Sequence, residues 1–165
     1  MIVDQQPDLL DDTAAQLAAL LDHVPDDVPA GLHLCYGDAG HVHMMEPESL
    51  AAQVNLTNAI TERATPAWVS FTVPQYRDDE AFFAPLADLR ATPATELYLA
   101  LVPYHPDEQA AGTTERQVAI IDRLLDRPWG ICTECGMARA ERADVPRLLD
   151  LHREILATYH DQAER

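Results

Sequence analysis

A histidine and a cysteine separated by one residue, His33-Leu34-Cys35, are the clearest candidates for chemistry in this chain. They lie in an apolar run, residues 31–37, whose composition predicts a β-strand. Side chains alternate between the two faces of a strand, so His33 and Cys35 point the same way. An imidazole and a thiolate that converge from one strand end are suitable ligands for a zinc ion.

Two further thiols, Cys132 and Cys135, follow about a hundred residues later and can supply a third ligand. Their C-x-x-C spacing alone is a weak signal, because thioredoxin-like redox pairs and halves of four-cysteine zinc sites share it. The acidic neighbour Glu134 does not favour a reactive thiolate, and the sequence holds no second C-x-x-C. Two cysteines with no common role are the remaining interpretation.

Short apolar runs alternate with amphipathic runs along the chain, and these are the elements that must position the ligands. The predicted strands are residues 2–4, 31–36, 67–73, 96–102 and 129–133. Helical periodicity predicts helices over residues 13–23, 47–62, 79–89, 114–125 and 144–159. In the fourth of these helices, Thr114 stands three residues before Gln117 and predicts a capping box.

Strand–helix alternation indicates parallel strands joined by helical crossovers. The predicted strands begin roughly every 30–36 residues, close to the ~31-residue repeat of a (β/α)8 barrel. The predicted fold class is therefore α/β, a partial (β/α)8 TIM barrel with about five parallel strands, formed by a single domain over residues 1–165. Five strands cannot close a normal barrel, so self-association through open sheet edges is expected.

Other ionisable residues fall at predicted strand ends, where barrel enzymes collect their chemistry. His105 lies just past the strand over residues 96–102 and is a candidate general acid or base. Asp4 ends the first predicted strand, and its carboxylate can bind a substrate amine or cap a loop. His41 and His43 lie in a loop, where histidines usually carry no metal.

Composition excludes several classes of partner. The chain has 165 residues, a formal net charge of −17, eleven arginines and no lysine. This acidity repels nucleic acid and anionic membrane, and no segment has the ~20 apolar residues needed to span a bilayer. Three cysteines do not indicate a secreted disulfide framework, and residues 1–8 have no signal-peptide pattern. A cytoplasmic protein is expected.

Several segments, in this order, resemble the C-terminal barrel of cobalamin-independent methionine synthase and its shorter relatives in the uroporphyrinogen decarboxylase-like superfamily. The segments that carry the resemblance are Val3-Asp4-Gln5-Gln6-Pro7, Gly31-Leu32-His33-Leu34-Cys35-Tyr36-Gly37-Asp38, Val102-Pro103-Tyr104-His105-Pro106 and Cys135-Gly136-Met137-Ala138-Arg139. The resemblance extends over nearly the whole chain. Its most specific parts are the His-x-Cys strand and the late Cys-Gly-x-x-Arg.

Enzymes of that family use zinc to hold a thiol substrate as a thiolate, which takes a methyl group from a folate in methionine biosynthesis. The resemblance implies a zinc cofactor with His33, Cys35 and Cys135 as its ligands. It places Asp4 on a residue that binds the amino group of the amino-acid substrate. It places His105 on a histidine that handles a proton near the reacting centre. The implied substrate is a small thiol or an amino acid.

The sequence departs from the family pattern at three places. The family's fourth zinc ligand, a glutamate at the end of the next strand, has no counterpart at the end of residues 67–74. Three protein ligands can still form a catalytic zinc site with an open position. Where the family has an acid two residues before the proton-handling histidine, this sequence has Pro103. The folate-binding N-terminal region and the first barrel strands of the family are not in the sequence.

The sequence therefore predicts a zinc-dependent thiol methyltransferase of the methionine synthase type, incomplete or inactive as an isolated chain. The alternative is a non-catalytic remnant or subunit of the same superfamily that binds a small molecule or a metal. A decarboxylase-like activity on a polycarboxylate has little support, because arginines are sparse near the predicted strand ends.

Overall fold

The computed structural model describes residues 7–37 and 45–163, in which helices and strands alternate. The elements are α1 (Pro7–Leu21), β1 (Gly31–Leu34), α2 (Ala51–Thr61), β2 (Trp68–Phe71), α3 (Glu80–Phe83), β3 (Glu96–Val102), α4 (Thr113–Leu124), β4 (Gly130–Thr133) and α5 (Val145–Ala163). No helix within these two ranges combines the length and the apolar character that crossing a membrane requires.

The four strands form one parallel sheet in the order β1-β2-β3-β4. In its register His33 lies opposite Ser70, Ser70 opposite Tyr98, and Tyr98 opposite Gly130. The predicted α/β class with parallel strands is confirmed, and the arrangement is consistent with part of an α/β barrel. The predicted strand over residues 2–4 lies outside the described residues.

Most element boundaries differ from the predicted ones by a few residues, and β3 matches its prediction. The strand predicted over residues 31–36 ends at Leu34, shortly before Gly37, which adopts a left-handed φ of 77° that a strand does not accommodate. The helix predicted over residues 79–89 divides into α3 and a 3₁₀ turn, Ala84–Asp88. The α-helix stops here because Pro85 has no N–H to continue the α-helical hydrogen-bond ladder.

The predicted capping box at the start of α4 is wrong. The helix begins after Gly112, whose φ of 76° is left-handed. The Thr114 hydroxyl donates a hydrogen bond to Gln109 Oε1 instead of capping the helix. Gln117 is fully buried, and its Nε2 donates to the carbonyl of Arg77. Gln117 therefore makes a tertiary hydrogen bond instead of the capping interaction that the local pattern predicted.

One face of the sheet packs against the helices and forms the core. Alternate strand residues point into it, including Val69, Phe71 and Leu99, and each is buried. The helices contribute Val54 and Ile121 to the same cluster, together with Phe82, Val118 and others. Burying each such side chain stabilises the fold by about 1.5–3 kcal/mol, so this face supplies much of the driving force for folding.

The opposite face of the sheet carries two aromatic rings that lie across glycines of neighbouring strands. Trp68 is the register partner of Gly31, and a Cβ atom at Gly31 would lie 2.2 Å from its indole ring. Tyr98 is the register partner of Gly130, where a Cβ atom would lie 2.7 Å from the phenol ring. Glycine is required at both positions because the rings occupy the space that a side chain would take.

We expect Gly31→Ala and Gly130→Ala each to lower the free energy of unfolding by about 1–3 kcal/mol, the usual cost of overpacking. Gly136→Ala is the matched control, since no atom lies within 4 Å of the added methyl group. Urea denaturation followed by circular dichroism measures the three variants. A Gly31→Ala protein as stable as the Gly136→Ala protein would contradict this account of the aromatic face.

Candidate metal centre

Three side chains meet beyond the carboxyl ends of the strands. His33 lies in β1, Cys35 follows that strand directly, and Cys135 lies two residues after β4. A ring nitrogen of His33 and the two Sγ atoms all lie within 4.8 Å of one another. In a tetrahedral zinc site, bonds of about 2.0–2.3 Å place neighbouring ligand atoms roughly 3.3–3.8 Å apart. The group can therefore hold a metal ion after a small contraction.

The convergence predicted from the sequence is present, although its ligands come from opposite edges of the described sheet. Neighbouring strands lie about 4.8 Å apart, which separates β1 from β4 by roughly 14 Å. The segment after β4 nevertheless reaches the end of β2. Thr72, just past β2, contacts both sides of the gap. Its Oγ1 lies 3.0 Å from the Leu34 carbonyl and 3.1 Å from the Glu134 carbonyl.

These two carbonyls belong to the residues that directly precede Cys35 and Cys135. Thr72 is buried, so little water competes for its single hydroxyl proton, which the two carbonyls share. Gln53 of α2 fixes Thr72 in turn. Gln53 Oε1 accepts from the Thr72 N–H at 2.9 Å, and its Nε2 donates to the Thr72 carbonyl at 2.9 Å. The same Nε2 lies 2.8 Å from Tyr36 Oη, in the segment after Cys35.

The His33 ring is oriented by Ser70, its register partner on β2. The Nδ1 atom lies 2.9 Å from Ser70 Oγ. When the Nδ1 proton is donated to this hydroxyl, Nε2 carries the lone pair that a metal needs. Partial burial lowers the pKa of His33 and favours the neutral imidazole, which is the form that binds metal.

Cys132 stands beside the group without joining it. Burial, with a smaller contribution from the charge of Cys135, raises the pKa of Cys132 to about 12. In the metal-free protein this thiol therefore remains protonated at neutral pH. The geometry agrees with the resemblance, which assigns Cys135 and omits Cys132.

A cavity of about 420 Å³ opens next to the group, on the aromatic face of the sheet. It is lined by His33, Trp68, Ser70, Tyr98, Cys132, Thr133, Cys135 and Gly136. Sequence reasoning missed Trp68, Ser70, Thr72 and Tyr98. The alternation of Trp68, Ser70 and Thr72 with apolar Val69, Phe71 and Val73 indicated that they share one face of β2. The side of the sheet on which these residues lie, and the residues of β1 that they face, depend on the tertiary structure and the strand register.

No acidic side chain of the described residues is part of the group. Tyr76 Oη donates to Glu46, and burial together with Glu46 and Glu134 raises the pKa of Tyr76 to about 12. Within the described ranges no carboxylate joins the three ligands, and the sequence has no acid at the end of residues 67–74. The described donor set is therefore one imidazole and two thiols.

The other predicted site residues are not part of the group or lie outside the described residues. His105 is exposed three residues after β3, and its ring packs edge-on against Tyr104 with 4.9 Å between the ring centroids. It is not one of the described residues that line the cavity, and its catalytic role stays a prediction. Asp4, His41 and His43 lie outside the described residues.

No family model, curated protein or solved structure matches the chain. The site is therefore defined by its own geometry: three soft ligands, a buried hydrogen-bonded support and an adjoining cavity.

We expect the three thiols of the metal-free protein to react with iodoacetamide at very different rates at neutral pH. Cys35 is exposed and reacts first. Cys132 reacts last, because a pKa near 12 leaves about a thousandfold less thiolate than an ordinary cysteine has. Mass spectrometry of tryptic peptides gives the time course, and the urea-unfolded protein, in which all three react alike, is the control. Equal labelling of Cys35 and Cys132 in the folded protein would contradict the conclusion that the Cys132 thiol is buried and protonated.

Proposed function

We propose that this protein binds zinc through His33, Cys35 and Cys135 and activates a small thiol for methyl transfer. The observation that carries the proposal is the approach of the three ligand atoms to within 4.8 Å of one another. An imidazole with two thiolates suits zinc better than calcium or magnesium, which prefer oxygen ligands. Three protein ligands leave one coordination position open, as catalytic zinc sites require.

Zinc bound at this position would hold a substrate thiol as its thiolate at neutral pH. The chain's own residues serve that chemistry in separate ways. Ser70 orients the His33 ring, and Thr72 holds the backbones on which Cys35 and Cys135 stand. Cys132 lies outside the group of three ligands. The cavity beside the ligands leaves room for a substrate.

The resemblance to cobalamin-independent methionine synthase supports methyl transfer as the reaction. The segments around His33, Cys35 and Cys135 carry that resemblance, and these residues form the group seen in the structure. We extend the proposal to His105 as the group that handles a proton and to Asp4 as the group that binds a substrate amine.

A non-catalytic metal-binding subunit is the second candidate. One observation favours it: the described cavity is not lined by His105, the candidate proton-handling residue. In this case zinc would be retained with the same ligands, and no thiol would be turned over.

We expect the purified chain to bind about one zinc ion. His33→Ala, Cys35→Ser and Cys135→Ser should each weaken binding by more than the roughly 10–100-fold that loss of a supporting hydrogen bond costs. Cys132→Ser is the matched control and should retain zinc, because this thiol lies outside the group. Competition with a chromophoric chelator measures the affinities. If Cys132→Ser loses zinc as fully as Cys135→Ser, the metal belongs to a C-x-x-C site and the proposal is wrong.

We expect no methyl transfer from folate donors by the zinc-loaded chain of 165 residues alone. Catalysis of this kind requires both reactants to be held in one geometry, and the resemblance assigns the folate site to a region that is not in the sequence. An assay with a radiolabelled methylfolate and a thiol acceptor tests this. Turnover by homogeneous protein with no partner present would refute the prediction.

A further inference from the structure

A buried amide on α2, that of Gln53, acts on the chain on both sides of the ligand Cys35. The helix itself carries none of the three ligands. Gln53 Nε2 donates to Tyr36 Oη, 2.8 Å away, in the residue that follows Cys35. Gln53 also binds Thr72, whose Oγ1 and backbone N lie 3.0 and 3.2 Å from the carbonyl of Leu34, the residue that precedes Cys35. Cys35 therefore stands between two residues that Gln53 holds, one directly and one through Thr72.

The hydrogen-bonding groups of the Gln53 amide are matched in one orientation only. An amide NH₂ carries two protons, and Nε2 has two acceptors, Tyr36 Oη and the Thr72 carbonyl. Oε1 accepts from the Thr72 N–H. Turning the amide over would set donor against donor at the Thr72 N–H and acceptor against acceptor at its carbonyl. The side chain therefore holds Thr72 and Tyr36 in one relative position.

The same network reaches the second thiol. Thr72 Oγ1 lies 3.1 Å from the carbonyl of Glu134, the residue that precedes Cys135. Gln53, Thr72 and Tyr36 are all buried, so a bond broken among them is poorly replaced by water. Loss of the Gln53 amide would therefore loosen the approach of the two cysteines while leaving every metal ligand in place.

We infer that Gln53 is a positioning residue for this site, holding Cys35 beside Cys135 through Tyr36 and Thr72. The inference rests on the proposed function where it takes zinc as the ion that the two thiols bind. A ligand pair that is held in place before the metal arrives needs less ordering when the metal binds. Gln53 therefore raises the affinity for zinc without touching it.

Asn58 provides a matched control on the same helix. It is also a buried amide that bonds backbone groups through both of its amide atoms. Its Nδ2 donates to the Asp88 carbonyl at 2.8 Å, and its Oδ1 accepts from the Arg90 N–H at 2.7 Å. Those two residues lie before β3 and are not adjacent in sequence to any of the three ligands. Gln53→Met and Asn58→Leu each remove one buried amide and keep the approximate size of the side chain.

The first measurement is zinc affinity by competition with a chromophoric chelator, on variants whose folding is checked by circular dichroism. We expect Gln53→Met to weaken zinc binding at least about tenfold, as loss of supporting hydrogen bonds does at other metal sites, and Asn58→Leu to stay within about twofold of the unchanged protein. Equal weakening by the two variants would reflect a general loss of stability and would overturn the inference.

Variants at Thr72 and Tyr36 test the two routes and remain informative if Gln53→Met does not fold. Thr72→Val should weaken zinc binding, and Thr72→Ser, which keeps the hydroxyl, should restore it. Tyr36→Phe removes one acceptor of Gln53 Nε2 and should cost about threefold, the usual effect of one hydrogen bond. Because Gln53 and Thr72 act together, Gln53→Met with Thr72→Val should lose less affinity than the product of the two single losses. Zinc affinity unchanged in both Thr72→Val and Tyr36→Phe would count against the positioning role.

The second measurement needs no metal. Dibromobimane becomes fluorescent when it bridges two neighbouring thiols, and in a Cys132→Ser background the remaining pair is Cys35 and Cys135, whose Sγ atoms lie within 4.8 Å. We expect rapid bridging in this background and after addition of Asn58→Leu, but bridging slower by about fivefold or more after addition of Gln53→Met. Iodoacetamide labelling of each thiol corrects for differences in reactivity. Bridging of the Gln53→Met protein at the parent rate would overturn the inference.

The two measurements separate failure of this inference from failure of the proposed function. Bridging that depends on Gln53, in a protein that binds no zinc, would overturn the proposed function and leave Gln53 as the residue that holds the two thiols together. Zinc binding that is the same with and without the Gln53 amide would overturn the inference alone.

Discussion

A single buried hydroxyl, that of Thr72, connects the two halves of the candidate metal centre. The strands that carry the thiols are separated by two others, and strand spacing alone would leave Cys35 and Cys135 more than 10 Å apart, roughly three spacings of 4.8 Å. Thr72 contacts the backbone carbonyl just before each of these cysteines. Gln53 holds Thr72 from the helix side through both its amide atoms. Hydrogen bonds among buried groups resist rearrangement because little water can replace them, so this network ties the residue before Cys35 to the residue before Cys135.

The two faces of the sheet have different roles: one packs against the helices, and the other carries the candidate site. The helix-packed face buries Val69, Phe71 and Leu99. The aromatic face carries the histidine ligand, its serine partner and the two rings over glycines. Because side chains alternate along a strand, every residue of β2 contributes to one face or the other. Successive residues of β2 therefore contribute in turn to the hydrophobic core and to the site.

Local pattern predicted some features well and failed at others for identifiable reasons. The strand over residues 96–102 has a long apolar run and matches β3 residue for residue. The prediction of a helix over residues 79–89 was wrong in its second half, because Pro85 breaks the hydrogen-bond ladder and a 3₁₀ turn forms instead. The capping box at Thr114 and Gln117 was wrong because Gln117 bonds the carbonyl of Arg77, about forty residues away in sequence. Local propensity contains no information about such a partner.

The sequence by itself determined that the fold is α/β with parallel strands and that His33 and Cys35 lie together at the end of one strand. Both follow from periodicity, which is a local property. Only the tertiary structure decided that Cys135 reaches this pair, that Cys132 does not, and that Ser70 orients the imidazole. These facts depend on strand order, on register and on the course of the loop after β4, and each is set by packing between segments far apart in the chain. A one-residue slip in register would turn Ser70 to the other face and leave His33 without its partner.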